Sequence, residues 1–203
     1  MAVASLTKFT VPLGAGTAAQ GMLMPKLKYR FRVTFLNFGI SGSTTELTKM
    51  VKSFARPTVT FEEVVIDVYN SKIKYAGKPT WGDVSLVLRD DATGQVSKLV
   101  GEQAQKQFDF SEQASARSGI DYKFQINIEV LDGGNGAFAP EVLESWELYG
   151  CYLKEANYNE LDYGSNDAME ISLSIGFDNA LQKPDGSGIG TNVGRTLGSA
   201  ITG

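Results

Sequence analysis

The sequence of 203 residues contains no histidine and only one cysteine, Cys151. Without histidine, the chain lacks the most common general base and the most common metal ligand. A single cysteine excludes an internal disulfide, a zinc site built from cysteines and an iron–sulfur cluster. The adjacent acids Glu62 and Glu63 would point to opposite faces of a strand, so they do not form a catalytic pair. We therefore expect a protein that is not an enzyme and that uses no cofactor or metal.

Long apolar runs are also missing. None approaches the roughly 20 residues that a membrane-spanning helix needs, so we expect no membrane span. Residues 1–24 lack a basic start, and Lys8 and Pro12 interrupt their apolar stretch, which does not suit a signal peptide. The lone cysteine and the absence of an Asn-x-Ser/Thr acceptor fit a reducing compartment. The cytoplasm is the expected place of folding.

Charge is distributed unevenly along the chain, although the net charge is only −4. Residues 1–60 contain eight lysines and arginines but one acid, Glu46, whereas residues 61–203 contain eleven bases and twenty-two acids. This asymmetry suits identical copies that pack head to tail, with the basic surface of one on the acidic surface of the next. Nucleic-acid binding and simple solvation of both charge sets are the alternatives.

Length and composition favour one globular domain with appendages. A chain of this length buries roughly 70% of its unfolded surface, and 42% of its residues are hydrophobic. The C-terminal end differs, because residues 186–203 include six glycines that do not match a phosphate-binding loop. We expect an N-terminal extension over residues 1–24, a β domain over 25–180 and a Gly-rich C-terminal extension over 181–203.

Alternation of apolar and polar residues predicts most of the secondary structure. Strands with one polar face are predicted over residues 27–36, 84–89, 122–130 and 169–177. Residues 142–153 carry apolar side chains in both registers, which is typical of a strand between two covered surfaces. Recurrence at three and four residues predicts a helix over 94–108, expected to be the only one, with Asp90 and Asp91 capping it. A mainly β sandwich or barrel with one packed helix follows.

A hairpin is predicted between residues 58 and 79. Residues 50–55 and 59–68 have the composition of strands. Alternation pauses over residues 70–79, which are expected to be a loop or a hairpin arm whose turn is fixed by Gly77 and Pro79.

Three basic side chains, Lys28, Arg30 and Arg32, are predicted on the polar face of the first strand. Nucleic-acid binding is one interpretation. However, alternation places Tyr29 and Phe31 on the opposite, buried face, whereas a base-stacking platform needs aromatic and basic side chains on one surface. We therefore favour an interface with another protein surface.

Two long stretches have an order and spacing that no single motif provides. Residues 57–91 contain, in order, Asn70, Lys72, Ile73, the Ala76–Gly77 pair, Trp81, a strand and an acidic helix start. Residues 146–178 contain Gly150, Leu161, the Tyr163-to-Asp167 turn and the last alternating strand. With the entry strand at residues 25–35, they resemble the tail tube proteins of contractile-tailed bacteriophages over most of residues 25–180.

The resemblance implies a β-sandwich with a flanking helix that assembles into hexameric rings, whose inner sheets join into one continuous barrel. Stacked rings would form the conduit through which the genome leaves the capsid. The implied partners are copies of the chain itself, the tail sheath protein, the tape measure protein, and the baseplate hub and tail terminator proteins. Double-stranded DNA would pass without specific binding. The implied location is the virion tail, assembled in the cytoplasm of the host bacterium.

Three sets of side chains are candidates for contacts in such a tube. Contacts between subunits or rings are expected from the hairpin, through Asn70, Lys72, Ile73, Tyr75, Gly77 and Trp81. A neutral or acidic wall would let a polyanion slide, whereas exposed bases would bind its phosphates. The candidate lumen face comprises Gln125, Asn127, Glu129, Glu170, Ser172 and Ser174. The basic set, Lys28, Arg30 and Arg32, is expected to contact a neighbour's acidic surface instead of lining the channel.

Two other functions remain open from the sequence. The inner tube of a contractile bacteriocin or type VI-like injection system would use the same architecture without conveying a genome. A monomeric β-sandwich that binds carbohydrate or protein is the alternative from another class. Light scattering at rising concentration separates a monomer from a polymerising subunit.

Overall fold

The computed structural model describes residues 25–41, 43–133, 140–184 and 188–190. The predicted N-terminal extension, 1–24, and most of the C-terminal extension lie outside the described residues. The described elements are, in order, β1 (Phe31–Leu36), α1 (Thr45–Met50), β2 (Val51–Phe54), β3 (Val59–Val68), β4 (Ser71–Trp81), β5 (Val84–Arg89), α2 (Gln95–Gln107), β6 (Phe108–Asp109), β7 (Ala114–Ser115), α3 (Gly119–Tyr122), β8 (Phe124–Leu131), β9 (Val142–Asn157), β10 (Glu170–Gly176) and β11 (Asn179–Pro184).

Seven strands form the main sheet, in the order β1-β8-β9-β10-β5-β2, with β11 also paired to β9. Every pairing is antiparallel. The sixteen-residue strand β9 connects the two halves of the sheet, because β8 and β11 flank its first part and β10 pairs with its second part. The sheet is open, with β1 and β2 at its ends. The mainly β fold class predicted from the sequence is confirmed.

A bulge at Gly150 explains the apolar residues in both registers of β9. Glu144, Trp146 and Leu148 point to the core before the bulge, and Cys151 and Leu153 do so after it. Gly150 has φ +67°, a left-handed conformation that favours glycine. The prediction that two covered surfaces enclose this strand is therefore wrong: a single face is buried, and the bulge changes which residues face inward.

Helix α2 covers the apolar face of the sheet. Its buried side chains, Val96, Leu99, Val100 and Gln103, match the predicted amphipathic pattern. Gln103 is fully buried, and its amide group accepts a hydrogen bond from Gly39 N (3.0 Å) and donates one to Tyr122 O (2.7 Å). These bonds tie the loop after β1 and helix α3 to the helix that closes the core.

The structure corrects the expectation of a single helix. Helices α1 and α3 have only six and four residues, too short for a periodic pattern to show. The residue that caps α2 is Gly94, not Asp90 or Asp91. Asp91 nevertheless accepts a hydrogen bond from Val96 N (2.9 Å), so its carboxylate satisfies a free amide of the first helical turn.

The entry strand is shorter than predicted. Because β1 begins at Phe31, Lys28 and Arg30 precede it. Val33 and Phe35 are buried as expected, but Tyr29, predicted on the same buried face, is 72% exposed. The alternation of residues 27–30 therefore did not correspond to a strand.

Strands β3 and β4 form a separate two-stranded hairpin, which we call the arm. The predicted strand over residues 59–68 is confirmed. The turn lies at Tyr69 and Asn70, not at Gly77 and Pro79, which are inside β4. Residues 71–79 therefore form a strand where the sequence suggested a pause in the alternation.

No helix among the described residues is long and apolar enough to cross a membrane.

Strand β11 runs across the predicted domain boundary between residues 180 and 181. Its Gln182 N donates a hydrogen bond to Ile189 O (2.8 Å), so residues 188–190 lie against the sheet.

Candidate assembly surfaces

The arm presents apolar side chains that the rest of the described chain does not cover. Among the described strands, β3 and β4 pair only with each other. The exposed apolar residues of the arm are Phe61, Val64, Val65, Ile66, Val68, Tyr69, Ile73 and Tyr75. A two-stranded hairpin with no covered face is at best marginally stable in water, so this exposure is unusual for a structure that acts alone.

The register of the arm places five of these residues on one face. Val64 is paired with Tyr75 and Ile66 with Ile73, and directly opposite residues share a face of an antiparallel pair. Val68 follows on the same face because alternate residues of a strand point the same way. We call Val64, Ile66, Val68, Ile73 and Tyr75 the apolar arm face.

The opposite surface is the charged arm face, formed by Glu63, Asp67, Lys72 and Lys74, and it also carries the exposed Val65 opposite Lys74. Lys74 Nζ lies 3.0 Å from Glu63 Oε1, and Lys72 Nζ lies 3.3 Å from Asp67 Oδ1. Lys72 therefore belongs to a different surface from Ile73 and Tyr75. The predicted arm residues do not act as a single patch.

The base of the arm is fixed to the core. Trp81 is the last residue of β4, pairs with Val59, and packs its ring 5.6 Å from that of Phe177. Gly77 lies in a bulge of β4, where an added Cβ would approach Glu62 O to 2.9 Å. Of the predicted arm residues, Trp81 is thus an anchor, Gly77 permits the bulge, and Asn70 forms the tip with Tyr69.

The candidate lumen residues occupy two strands of the main sheet. They form two rows, Gln125, Asn127 and Glu129 on β8 and Glu170, Ser172 and Ser174 on β10. Both rows lie on the face of the sheet opposite the core, since the alternate residues of each strand are buried. Strand β9 lies between them.

The basic set is dispersed and is not separate from the lumen rows. Arg32 is directly opposite Glu129, and its Nη2 lies 2.6 Å from Glu129 Oε2. Arg30 donates a hydrogen bond to the carbonyl oxygen of Asp132, and Lys28 is exposed in a turn before β1. Arg32 and Glu129 therefore lie side by side on one face of the sheet, so a lumen wall that contained Glu129 would also contain Arg32.

One buried carboxylate that the sequence analysis did not single out is Glu144, which is 4% exposed. Its partners are Lys26 Nζ at 2.6 Å, Trp146 Nε1 at 2.7 Å, Gln182 Nε2 at 2.8 Å and Arg56 Nη1 at 3.8 Å. Burial alone would raise its pKa, but the hydrogen bonds from Lys26, Gln182 and Trp146 outweigh it and hold the pKa at about 2. One feature of the sequence indicated this burial: Glu144 alternates in register with the apolar residues Trp146 and Leu148.

Within the part of the chain that the structure describes, no three acidic or cysteine side chains converge to hold a metal ion. Cys151 is fully buried, and its burial raises the pKa of the thiol to about 12. This cysteine is a core residue with little thiolate at neutral pH.

No protein-family model and no curated protein sequence matches the chain. A chain of the anti-feeding prophage cap, the AFP tube terminating cap, has a TM-score of 0.62 at 14% identity, covering 85% of this chain and 99% of that chain. A chain of the PVC sheath-tube complex in the extended state has a TM-score of 0.56 at 15% identity, over 79% and 92%. The PVC sheath/tube terminator gives 0.56 at 16% identity, over 80% and 99%. The chain has the tail-tube fold.

The tail-tube fold confirms the resemblance seen in the sequence. The matched structures belong to tubes, sheaths and tube terminators of contractile injection systems, not to enzymes. Because the fold is shared at low sequence identity, the likeness establishes the architecture only. The contacts that the surfaces make depend on the residues of this chain.

Proposed function

We propose that this protein is a structural subunit of a contractile tail or injection tube, in which copies pack into hexameric rings that stack on one another. The observation that carries the proposal is the apolar arm face. Five apolar side chains that are about half exposed project from an otherwise well-packed domain. Burying them removes apolar surface from water, which favours association by roughly 25 cal/mol per Å² before the costs of binding are subtracted.

A second copy of the chain is the partner that best fits the arm. The charged arm face pairs its own charges, as Lys74–Glu63 and Lys72–Asp67. The arm can therefore keep a solvated outer surface while its apolar face lies against a neighbour. Identical copies that engage through different surfaces form rings or stacks, and the tail-tube fold occurs in structures of such tubes.

The conduit would carry double-stranded DNA in a bacteriophage tail or an effector in an injection system. The polar rows on β8 and β10 are the proposed lumen wall. Arg32 would contribute to that wall as the ion-paired partner of Glu129 at 2.6 Å, which leaves little free positive charge to retard a polyanion. The tail sheath, the tape measure protein, the baseplate hub and the tail terminator remain the proposed partners, with assembly in the bacterial cytoplasm.

A tube-terminating subunit is the second candidate. It is suggested by the TM-score of 0.62 with the AFP tube terminating cap, although the PVC sheath/tube terminator and the PVC sheath-tube complex both give 0.56. A terminator would form one ring and stop, whereas a tube subunit would continue into stacks.

Adjacent cross-strand pairs of the arm provide a matched test. Ile66→Thr with Ile73→Thr changes a pair on the apolar arm face, and Asp67→Thr with Lys72→Thr changes the next pair, on the charged face. Threonine is β-branched and suits a strand, so both variants place the same strand-compatible residue at the changed positions. We expect the first variant to remain folded but unassembled, while the second assembles like the parent in sedimentation velocity and negative-stain microscopy.

The same measurements separate the alternatives. Stacked rings support the tube subunit, and single rings support the terminator. A parent protein that stays monomeric in light scattering at rising concentration would overturn both, as would equal assembly of the two variants.

A further inference from the structure

Glu144 joins segments that are distant in the sequence. Lys26 is 118 residues away from it and Gln182 is 38 residues away. Arg56 approaches from the segment between β2 and β3, while Trp146 belongs to the same strand as Glu144. A single carboxylate therefore contacts the N-terminal segment, the approach to the arm, and the strand that leads to the C-terminus.

Three of these partners lie close to a boundary between the domain and a segment that extends from it. Lys26 comes directly after the predicted N-terminal extension, 1–24. Arg56 lies three residues before the first residue of the arm, Val59. Gln182 is in β11, two residues before the end of that strand and of the described sheet region. The start of the described chain, the segment that leads into the arm and the last strand therefore all meet at Glu144.

A buried charge at this position has a cost that a purely structural role does not explain. Removing a carboxylate from water is expensive, and an apolar residue in the same register would usually stabilise the core as well or better. The neighbouring inward positions, Trp146 and Leu148, are indeed apolar. What the carboxylate adds is direction, because its hydrogen bonds restrict where Lys26 and Gln182 lie.

We propose that Glu144 is a positioning residue that fixes the directions in which the N-terminal segment, the arm and the C-terminal strand leave the domain, and that assembly depends on this orientation. The proposal rests on the proposed function as a self-assembling subunit. The N-terminal segment and β11 are held by hydrogen bonds of 2.6 and 2.8 Å, and Arg56 is held more loosely, at 3.8 Å. We therefore expect the largest effect on the N-terminal segment.

The test measures orientation in the unassembled subunit. Two spin-label pairs are placed in the full chain, Lys28→Cys with Gln95→Cys for the N-terminal segment and Tyr69→Cys with Gln95→Cys for the arm tip. All three sites are exposed, whereas the native Cys151 is fully buried and does not compete for the label. Distance distributions are recorded by pulsed electron resonance at a concentration where the protein is monomeric.

Glu144→Gln keeps the shape of the side chain but removes the charge that holds Lys26 and Arg56. The matched control is Glu102→Gln, since Glu102 also has a pKa of about 2 but bonds the loop at Ile40 and Ser41, away from the appendages. We expect the Lys28–Gln95 distribution to broaden roughly twofold in Glu144→Gln and to stay unchanged in the control. Lys26→Met, which removes the same contact from its exposed partner, should broaden it too and covers the case in which Glu144→Gln fails to fold.

Assembly is then measured by sedimentation of the unlabelled variants. We expect the assembled fraction to fall about tenfold in Glu144→Gln, equivalent to about 1.4 kcal/mol. We compare it with Glu102→Gln under conditions in which the two variants have the same free energy of unfolding. Unchanged distributions, equal broadening in both variants, or normal assembly despite broadening would each overturn the proposal. If the parent protein never assembles, the proposed function fails, and the distance measurement still tests the orientation by itself.

Discussion

The body, which comprises the main sheet and its helices, and the arm are built from the same kinds of strand, but they place their apolar side chains in opposite environments. In the body, alternate residues such as Ile126, Leu173 and Ile175 are almost fully buried in the core. In the arm, Ile66 and Ile73 face each other across the hairpin and stay nearly half exposed. The body buries its apolar side chains by its own contacts, whereas the arm has an apolar face that the described part of the chain leaves uncovered.

Substitutions of the two regions should differ most in the stability of the free subunit. Leu173→Ala removes a side chain that is 2% exposed and should lower the free energy of unfolding by about 2–5 kcal/mol through lost transfer energy and a cavity. Ile66→Ala in the arm should lower it by less than about 1 kcal/mol, because its side chain already contacts water. Urea denaturation of the monomer measures both. Equal losses would show that the arm is part of the cooperative core.

Substitutions of two glycines, one in the body and one in the arm, should also differ in how much they destabilise the protein. Gly150 has φ +67°, and an added Cβ would overlap the carboxylate of Asp178, which pairs with Lys123 at 2.5 Å. Gly150→Ala should therefore cost about 2–4 kcal/mol through backbone strain and displacement of this ion pair. Gly77→Ala has no positive φ to maintain and should cost about 1 kcal/mol, confined to the arm. Thermal unfolding followed by far-UV and near-UV circular dichroism separates local from global loss.

Acid should act chiefly on the body, where the pKa values of Glu102 and Glu144 are both about 2, below the ordinary 4.5. A lowered folded-state pKa stabilises the protein above pH 4.5, and this contribution is lost as the pH falls from about 5 towards 2. For the buried Glu144, facing Lys26 and Arg56, the loss is on the order of 2 kcal/mol. Stability measured from pH 6 to pH 2.5 should decline less steeply in Glu102→Gln than in the exposed control Glu46→Gln. An identical decline of the unfolding free energy with pH in the two variants would contradict a lowered pKa for Glu102.

The sequence predicted the body well because each strand buries one face. Strands β5, β8 and β10 alternate without interruption, so the period of two is visible. The helix α1 was missed because it has one buried residue, Leu47, and no periodic pattern. The double apolar register of β9 was misinterpreted because a bulge at Gly150 produces the same pattern as two covered surfaces.

The surfaces were predicted less well, and for a physical reason. Alternation shows which residues share a face of a strand but not which residues of other strands lie beside them. The pairing of Arg32 with Glu129, 97 residues apart, depends on the register of β1 with β8. The contacts of Glu144 likewise require the tertiary structure. Its place in the alternating pattern of β9 was the one local indication that this carboxylate is buried.

The smallest effect is expected on the charged arm face, where Lys72 and Asp67 are 69% and 78% exposed and lie 3.3 Å apart. The exchange Asp67→Lys with Lys72→Asp keeps the pair and the net charge but reverses their positions. Exposed pairs contribute about 0–1 kcal/mol, so the exchange should change the free energy of unfolding by less than about 0.5 kcal/mol. It should also leave assembly unchanged, because this face points away from the apolar arm face that is proposed to meet the neighbour. Sedimentation velocity at low and high salt checks the second expectation. Loss of assembly at low salt alone would show that the charged arm face meets a partner through its charges, and would reverse the assignment of the two faces.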